Sequence, residues 1–563
     1  MTGFFKRENL PFSLILMAGF LVRVIGINFG LPDFYHADEP IIVNHAVAYG
    51  LGDFNPHFFK IPPLISYLLF ISYGFYYVFG RAVGICASLG DFQNLFLIHP
   101  SSFYLIGRMI FGVFLGMATI YLFFHFIKRF FSKEHAFLSS FILAMNFLHV
   151  RDSHYLYTDI PLLLVLVACF FMIFRILEYG NWKDYLNFGL LGGAAVATKY
   201  NGVFIFIPFF AAHFLRTWKS GARLFTVNFL MALVTSLVAY SLLNPFSWLD
   251  FNFFLSDVRV QAGAEAFTGL FHHLTYSLNG ALGAPVLVFS LIGILILIFQ
   301  PEPKRLLLFS FVFVYYLVIC FFGQPYDRYV LPLIPFFIFF ATDVLFLIMR
   351  KLNLSRSLVF IFSFIFTLPS MAKVCFSDYL FLQKDNRTMA KEWIECNVPL
   401  DSKIAVDVLF YAPRLKPSLA QLREKRNEVL TTKGSGSVQA KRIELMIQYA
   451  QKDLTPRYHL FFMKPNLDGG FLFSKPAVPY NVESLRNHGI QYVILCQSEK
   501  ENQTQFREDL EDQSELLEVF SPYKNPLQER TIDDQPLTGG PFLWKDLIAR
   551  RANGLVIKIY RLK

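Results

Sequence analysis

Charge is what this 563-residue sequence has least of: 16% of its residues are Asp, Glu, Lys or Arg, where soluble domains carry roughly 25%. The shortage is uneven. Residues 378–563 hold 27 Lys+Arg and 24 Asp+Glu, leaving 24 basic and 17 acidic residues for the 377 positions before them. The last third therefore reads as soluble and the rest as membrane-embedded. Cysteine is scarce too. Six residues with no CxxC or Cys/His spacing give neither a disulfide framework nor a zinc site, though Cys375, Cys396 and Cys496 leave one disulfide open. No internal repeat of fixed period is found. The net charge of +10 does not imply nucleic acid, because bases flanking membrane spans account for it.

What is abundant is apolar: 55% hydrophobic residues, with 68 Phe. Apolar runs of about 20 residues mark spans, and Lys/Arg clusters mark the cytoplasmic side. With Lys6 and Arg7 inside, a retained first span (12–31) leads out. Further spans follow at 102–127, 135–150, 160–177, 185–198, 202–215, 224–243, 281–300, 306–322, 329–349 and 357–374. This register puts Lys128/Arg129/Lys133, Lys183, Arg216/Lys219/Arg223, Lys304/Arg305 and Arg350/Lys351/Arg356 on one side. The expectation is a polytopic α-helical membrane protein of about 11 transmembrane helices (residues 1–377). A C-terminal soluble α/β domain (378–563) lies outside. Ile61–Gly80 is apolar enough to span, but a span there would invert everything after it. It reads as a juxtamembrane or re-entrant helix, started by Pro62-Pro63, in a long first outer loop (32–101). In the tail, 386–396 and 482–488 read as helices and 403–406, 489–496 and 554–560 as strands, with 432–437 a loop.

Two acidic clusters fall on the outer side in this register: His36-Ala-Asp38-Glu39-Pro40 after the first span, and Arg151-Asp152-Ser-His154-Tyr-Leu-Tyr-Thr-Asp159-Ile-Pro161 after the third. Carboxylates and histidines beside an apolar wall can serve as general bases or hold a metal. The plainer readings stay open. They are solvated interfacial charge, with Asp159 as a helix N-cap and Pro161 at N2. Arg23, inside the first span, either snorkels to the surface or pairs with a site carboxylate. Tyr35, Tyr155, Tyr157 and Trp248 fit an interfacial aromatic belt.

Several phrases, in this order, resemble the GT-C membrane glycosyltransferases, in the branch of the protein O-mannosyltransferases and the lipid A aminoarabinose transferase. They are Asp38-Glu39-Pro40, the Pro62-Pro63 segment, Asp159-Ile-Pro161, Gly192-Gly193 through Lys199-Tyr-Asn-Gly202, Arg328-Tyr-Val-Leu-Pro332-Leu-Ile-Pro335, and Asp385-Asn-Arg387 through Trp393 to Pro399. The resemblance implies an inverting transfer of a sugar from a polyprenyl-phosphate donor to a lipid, glycan or protein acceptor. Asp38 would be the general base, Glu39 an acceptor contact or supporting residue, and Asp159 the second acidic position. Phosphate needs cations; Lys199 and Arg328 match the family phrases, and Lys60 matches a basic position in the aminoarabinose branch. Arg151 and His154 are further candidates for substrate or phosphate. His154 could also join Asp38 and Asp159 around a divalent metal (Mn, Mg or Zn), the candidate cofactor. The missing DxD disfavours a nucleotide-sugar donor. The basic clusters put site and tail outside, and the absence of the central repeat domain that eukaryotic mannosyltransferases carry leads to the expectation of a bacterial inner membrane, with both facing the periplasm. The competing class is a transporter or flippase of a lipid-linked sugar, which favours inverted repeats and mid-membrane charges.

Overall fold

A computed structural model describes residues 10–221, 223–261, 269–322, 325–353, 356–408, 412–453, 455–464, 477–496, 504–525 and 542–563. Lys6 and Arg7, the first cytoplasmic marker, lie outside the described residues. The chain forms two compact units. The first comprises Met1–Ile27, Asp53–Phe70 and Ile106–Cys375; the second comprises Asn28–Gly52, Ile71–Leu105 and Phe376–Lys563. Most of the first outer loop thus folds with the C-terminal chain.

In the first unit every expected span contains an apolar helix, from Leu10–Val24 to Arg356–Leu382. Among the described residues four helices are long and apolar enough to cross a membrane: Ser101–Phe130, Asp159–Glu178, Asp327–Lys351 and Phe364–Asn397. The pair Gly269–Leu282 and Ala284–Phe299, bent by 118°, would make a fifth. The expected count of eleven is therefore not established. Several helices stop short because the chain breaks them. The first ends at Val24, ahead of Gly26 (φ 77°) and Gly30 (φ 67°), both in the left-handed region glycine favours. The third is interrupted between Ala144 and Phe147.

The helices Trp182–Thr198 and Val227–Leu243 pack through small residues. A Cβ on Gly193 would sit 2.3 Å from the Ser236 carbonyl oxygen, so only glycine lets the two backbones approach. Three basic helix ends meet at Glu178. Glu178 receives Lys304 at 2.6 Å and Arg129 at 3.7 Å, and the Arg216 guanidinium donates to the Glu178 carbonyl at 3.1 Å. Asp159, the first residue of the same 20-residue helix, stands about 30 Å away along its axis.

The helix after Pro62-Pro63 runs Leu64–Ala82. It exposes Leu68, Ile71, Phe75, Val78 and Phe79, a stripe at helical spacing. That is the surface a helix lying against lipid would present.

The second unit is built on a five-stranded sheet: β1 (Lys403–Val408), β2 (His459–Lys464), β3 (Tyr492–Cys496), β4 (Ser514–Phe520) and β5 (Ile557–Leu562), in the order β2-β1-β3-β5-β4. The first three strands are parallel and the last two antiparallel to their neighbours. Ile404, Val406, Ile494 and Ile559 bury one face against Ala390 and Ile394 of the helix Asn386–Asn397. Ala405, Val493 and Leu495 bury the other against Leu485, Phe506 and Leu510. Burial of both faces suits a parallel core. β2 and β4, and the helices Leu419–Lys433 and Val438–Ala450, escape the sequence reading. The first of those helices takes in the start of the expected 432–437 loop. The described cysteines are all free.

Candidate active site

In the second unit, Asp38 begins the helix Glu39–Ala48 with Pro40 in the first turn, yet its side chain makes no cap bond to that helix. A carboxylate at an N-cap ordinarily accepts from the N2 or N3 amide; this one does not. Its backbone N–H donates to His36 Nδ1 at 3.3 Å. Glu39 is fully buried, which removes the reading of it as a solvated neighbour.

The loop leading to Asp38 is clamped by the start of the helix Asn386–Asn397. Lys391 reaches Asp33 at 2.6 Å, the Tyr35 hydroxyl lies 2.8 Å from Thr388 Oγ1, and the Arg387 guanidinium stacks 3.9 Å above the Tyr35 ring. Asp385 holds Arg387 in place at 2.8 Å. The phrase Asp385-Asn-Arg387 thus anchors the segment that carries Asp38. The sequence marks the phrase but not this role, because the two stretches lie some 350 residues apart.

In the first unit the second acidic cluster meets the cations. Lys199 Nζ donates to Asp159 Oδ1 at 2.7 Å and lies 5.5 Å from the Tyr157 ring centre. The Arg328 guanidinium is 4.6 Å from the same ring and 5.0 Å from that of Tyr326. Cations over aromatic faces gain about 0.5–2 kcal/mol each, so Tyr157 is a platform shared by two positive charges rather than a belt residue alone. Local chain geometry sets up Lys199. It ends its helix in an extended conformation (φ −156°, ψ 134°). The following turn tucks Gly202 against Ala195, where a Cβ would fall 2.4 Å from backbone.

Asp159 departs from its expected cap role. Thr158 is the N-cap and Asp159 the first helical residue, so its carboxylate is given to Lys199 and not to helix amides. Its second oxygen, Oδ2, is buried with no hydrogen bond. Lys60 follows Phe59, whose N–H donates to Asp257 at 2.6 Å and whose carbonyl accepts the Tyr200 hydroxyl at 2.8 Å. Lys60 and Lys199 are therefore carried on adjoining, cross-linked segments. Tyr200 lies in the phrase already singled out, whereas nothing in the sequence marks Asp257.

Three candidates are corrected. Arg151, expected to meet phosphate, is 2% exposed and bound to carboxylates: Asp327 at 2.6 Å and 3.1 Å, and Asp152 at 2.8 Å. Asp327 was missed because the family phrase begins one residue later, at Arg328. His154 is fully buried, with Nδ1 3.0 Å from the Val150 carbonyl and Nε2 2.8 Å from that of Ile25. Both ring nitrogens face backbone, which fits neither a metal ligand nor a phosphate contact. Arg23, read as snorkelling or as pairing with a site carboxylate, does not reach the surface. It is fully buried, donating to the carbonyls of Gly19 and Ala144 and to His149 Nδ1 at 2.7 Å. Among the described residues no three His, Cys, Asp or Glu side chains are grouped to hold a metal ion.

Residues 102–248 match the family described as dolichyl-phosphate-mannose-protein mannosyltransferase, the branch the sequence motifs indicated. That stretch holds Arg151, His154, Asp159 and Lys199; Asp38, Glu39, Lys60 and Arg328 lie outside it. Among solved structures, ArnT from Cupriavidus metallidurans bound to undecaprenyl phosphate is similar at 14% identity and a TM-score of 0.46, over 73% of this chain and 85% of its own. An Archaeoglobus fulgidus oligosaccharyltransferase complexed with Zn and sulfate is similar at 12% identity and a TM-score of 0.44, over 71% of this chain. The present chain spans 60% of the length of that protein. No curated protein sequence matches.

Proposed function

We propose that this protein is an integral-membrane glycosyltransferase that moves a sugar from a polyprenyl-phosphate donor to a hydroxyl acceptor, with inversion at the anomeric carbon. The observation that carries this reading is the pair of cations, Lys199 and Arg328, both held at the Tyr157 ring beside Asp159, three of these residues lying in the segment matched by mannosyltransferases. In this reading the acceptor oxygen attacks the anomeric carbon and gives its proton to the Asp38 carboxylate. The bond from that carbon to the phosphate oxygen breaks, and polyprenyl phosphate leaves with its charge met by Lys199, Arg328 and Lys60. Asp159 positions Lys199, and Glu39 supports Asp38. A divalent metal enters as an added cofactor only if transfer by purified protein falls with chelator.

Residues 1–377 carry the catalysis and 378–563 form an extracytoplasmic domain. The second unit unites most of the first outer loop with the tail, which favours placing both on one side of the membrane, the periplasmic side in a bacterial inner membrane. A cysteine at Ser437 labelled by an impermeant reagent in intact spheroplasts agrees with that orientation; labelling only after lysis overturns it.

Asp38→Asn tests the central claim. Loss of a general base costs about 10²–10⁴-fold, so purified, folded variant supplied with polyprenyl-phosphate sugar should lose transfer by that order. Turnover near that of the unaltered protein would mean that Asp38 is not the base.

A further inference from the structure

Lys60 ends a stretch of the first unit, residues 53–60, that is neither helix nor strand. No ladder of backbone bonds holds such a stretch, so its shape depends on where its polar groups find partners. Several find them on one short helix. Asp250 and Asp257, just before and within the helix Phe251–Gln261, stand seven residues apart, a spacing that puts both on one face. Asn55 Nδ2 donates to Asp250 at 2.9 Å, and the Phe59 N–H donates to Asp257 at 2.6 Å. The Phe59 ring is fully buried, its centre 6.1 Å from that of Phe253 and 5.7 Å from that of Phe254 on the same helix. Between these ties His57 takes a left-handed conformation, φ 46°. Its N–H donates to Asn55 Oδ1 at 3.1 Å, and its Nε2 lies 3.0 Å from Asp53 Oδ2. A strained residue persists where its neighbours over-determine it, and this one has the neighbours to do so.

Phe59 is held from both sides. While its N–H goes to Asp257, its carbonyl accepts the Tyr200 hydroxyl at 2.8 Å. Tyr200 follows Lys199 and Phe59 precedes Lys60, so each lysine is one residue from an end of that bond. A lysine is a compact charge on a flexible four-carbon stem. Its backbone position decides which volume the ammonium sweeps, and a fixed origin lowers the entropy lost when the ammonium settles on a ligand. A carboxylate accepting a backbone amide makes the stronger kind of hydrogen bond, which suits Asp257 to fixing that origin.

We propose that Asp257 is a positioning residue for Lys60. Through the Phe59 backbone it sets where Lys60 stands relative to Lys199, so that both ammonium groups meet one phosphate; Tyr200 is the second tie. The proposal rests on the reading of Lys60 and Lys199 as cations for the phosphate of the polyprenyl donor.

Purified full-length protein in detergent is titrated with undecaprenyl phosphate and with undecaprenol, its uncharged counterpart. The phosphate should bind at least about tenfold more tightly; equal binding refutes the lipid-phosphate reading and this proposal with it. Lys60→Ala and Asp257→Ala should each weaken the phosphate about tenfold and leave undecaprenol unchanged. Asp257→Asn still offers an oxygen to the Phe59 N–H and should stay within about threefold of the unaltered protein. The double variant should bind no more weakly than Lys60→Ala, since a residue acting through Lys60 then has nothing left to position. Losses that multiply, undiminished binding in Asp257→Ala, or an Asp257→Asn as weak as Asp257→Ala overturns the proposal and leaves the glycosyl-transfer reading standing. Undiminished binding in Lys60→Ala instead removes Lys60 from the phosphate cations, and the reading fails at that residue. Should Asp257→Ala not fold, Tyr200→Phe decides in its place. It deletes one hydroxyl on the other side of Phe59 and should weaken the phosphate about threefold or more, with no further loss on top of Lys60→Ala; undiminished binding there overturns the proposal.

Discussion

Each end of the helix Asp159–Glu178 holds a carboxylate bonded to a lysine at nearly the same distance: Lys304 to Glu178 at 2.6 Å, Lys199 to Asp159 at 2.7 Å. Their surroundings differ. The Glu178 pair is 24% and 22% exposed, with Arg129 nearby at 46%. At the other end Asp159 is 3% exposed and its Lys199 14%, and Arg151, at 2%, meets Asp152 at 11% and Asp327 at 16%. Exposed ion pairs contribute about 0–1 kcal/mol. Buried ones must offset desolvation, and hydrophobic replacements would often serve stability as well. Charge at the Glu178 end is that of basic helix ends meeting one carboxylate at a partly open surface. Charge at the Asp159 end is more deeply buried in spite of its cost, which is what the proposed function would require of it.

The largest effect that can break this contrast lies in the Arg151 network. Removing one partner of a buried ion pair leaves the other charge uncompensated, at about 3–5 kcal/mol. Asp327→Ala takes away the two-pronged contact to Arg151 but spares Asp152, so a loss near the lower end, about 3 kcal/mol, is expected. Denaturant titration of detergent-solubilised protein reads it. A loss under about 1 kcal/mol would show that burial at this end does not make its charges matter, and the contrast would fail.

The sequence made much of this legible, but unevenly. Positions of apolar helices follow from run length alone, and the meeting of basic helix ends at Glu178 follows from Lys/Arg placement. Asp38, Asp159, Lys199 and Arg328 stood out because short phrases surround them. Helix ends were less readable, since Gly26 and Gly30 shorten the first helix by geometry rather than by polarity. Partners were least readable of all. Nothing local to Arg151 reports Asp327, 176 positions away, and nothing near Tyr35 reports Arg387. The tail helices Leu419–Lys433 and Val438–Ala450 were hidden by their low apolar content; they bury Leu422, Val429, Ile443 and Ile447 mainly on each other.

The smallest effect is expected at the exposed end, and it is the sharper test for being small. Glu178→Gln leaves Lys304 and Arg129 without their shared carboxylate, yet both side chains reach water and can be solvated there. Lys304 also keeps its place over the Phe130 ring at 5.5 Å, and Arg129 its bond to the Tyr179 hydroxyl. The Glu178 backbone carbonyl still accepts from Arg216, since the substitution does not touch it. The expected loss is under about 1 kcal/mol, and it should shrink further in high salt, where exposed pairs are screened. Denaturant titration at low and high salt, run beside Asp327→Ala, measures both. If Glu178→Gln costs as much as Asp327→Ala and the cost is indifferent to salt, then Glu178 is a buried tie between helices, and the division of labour between the two ends is wrong.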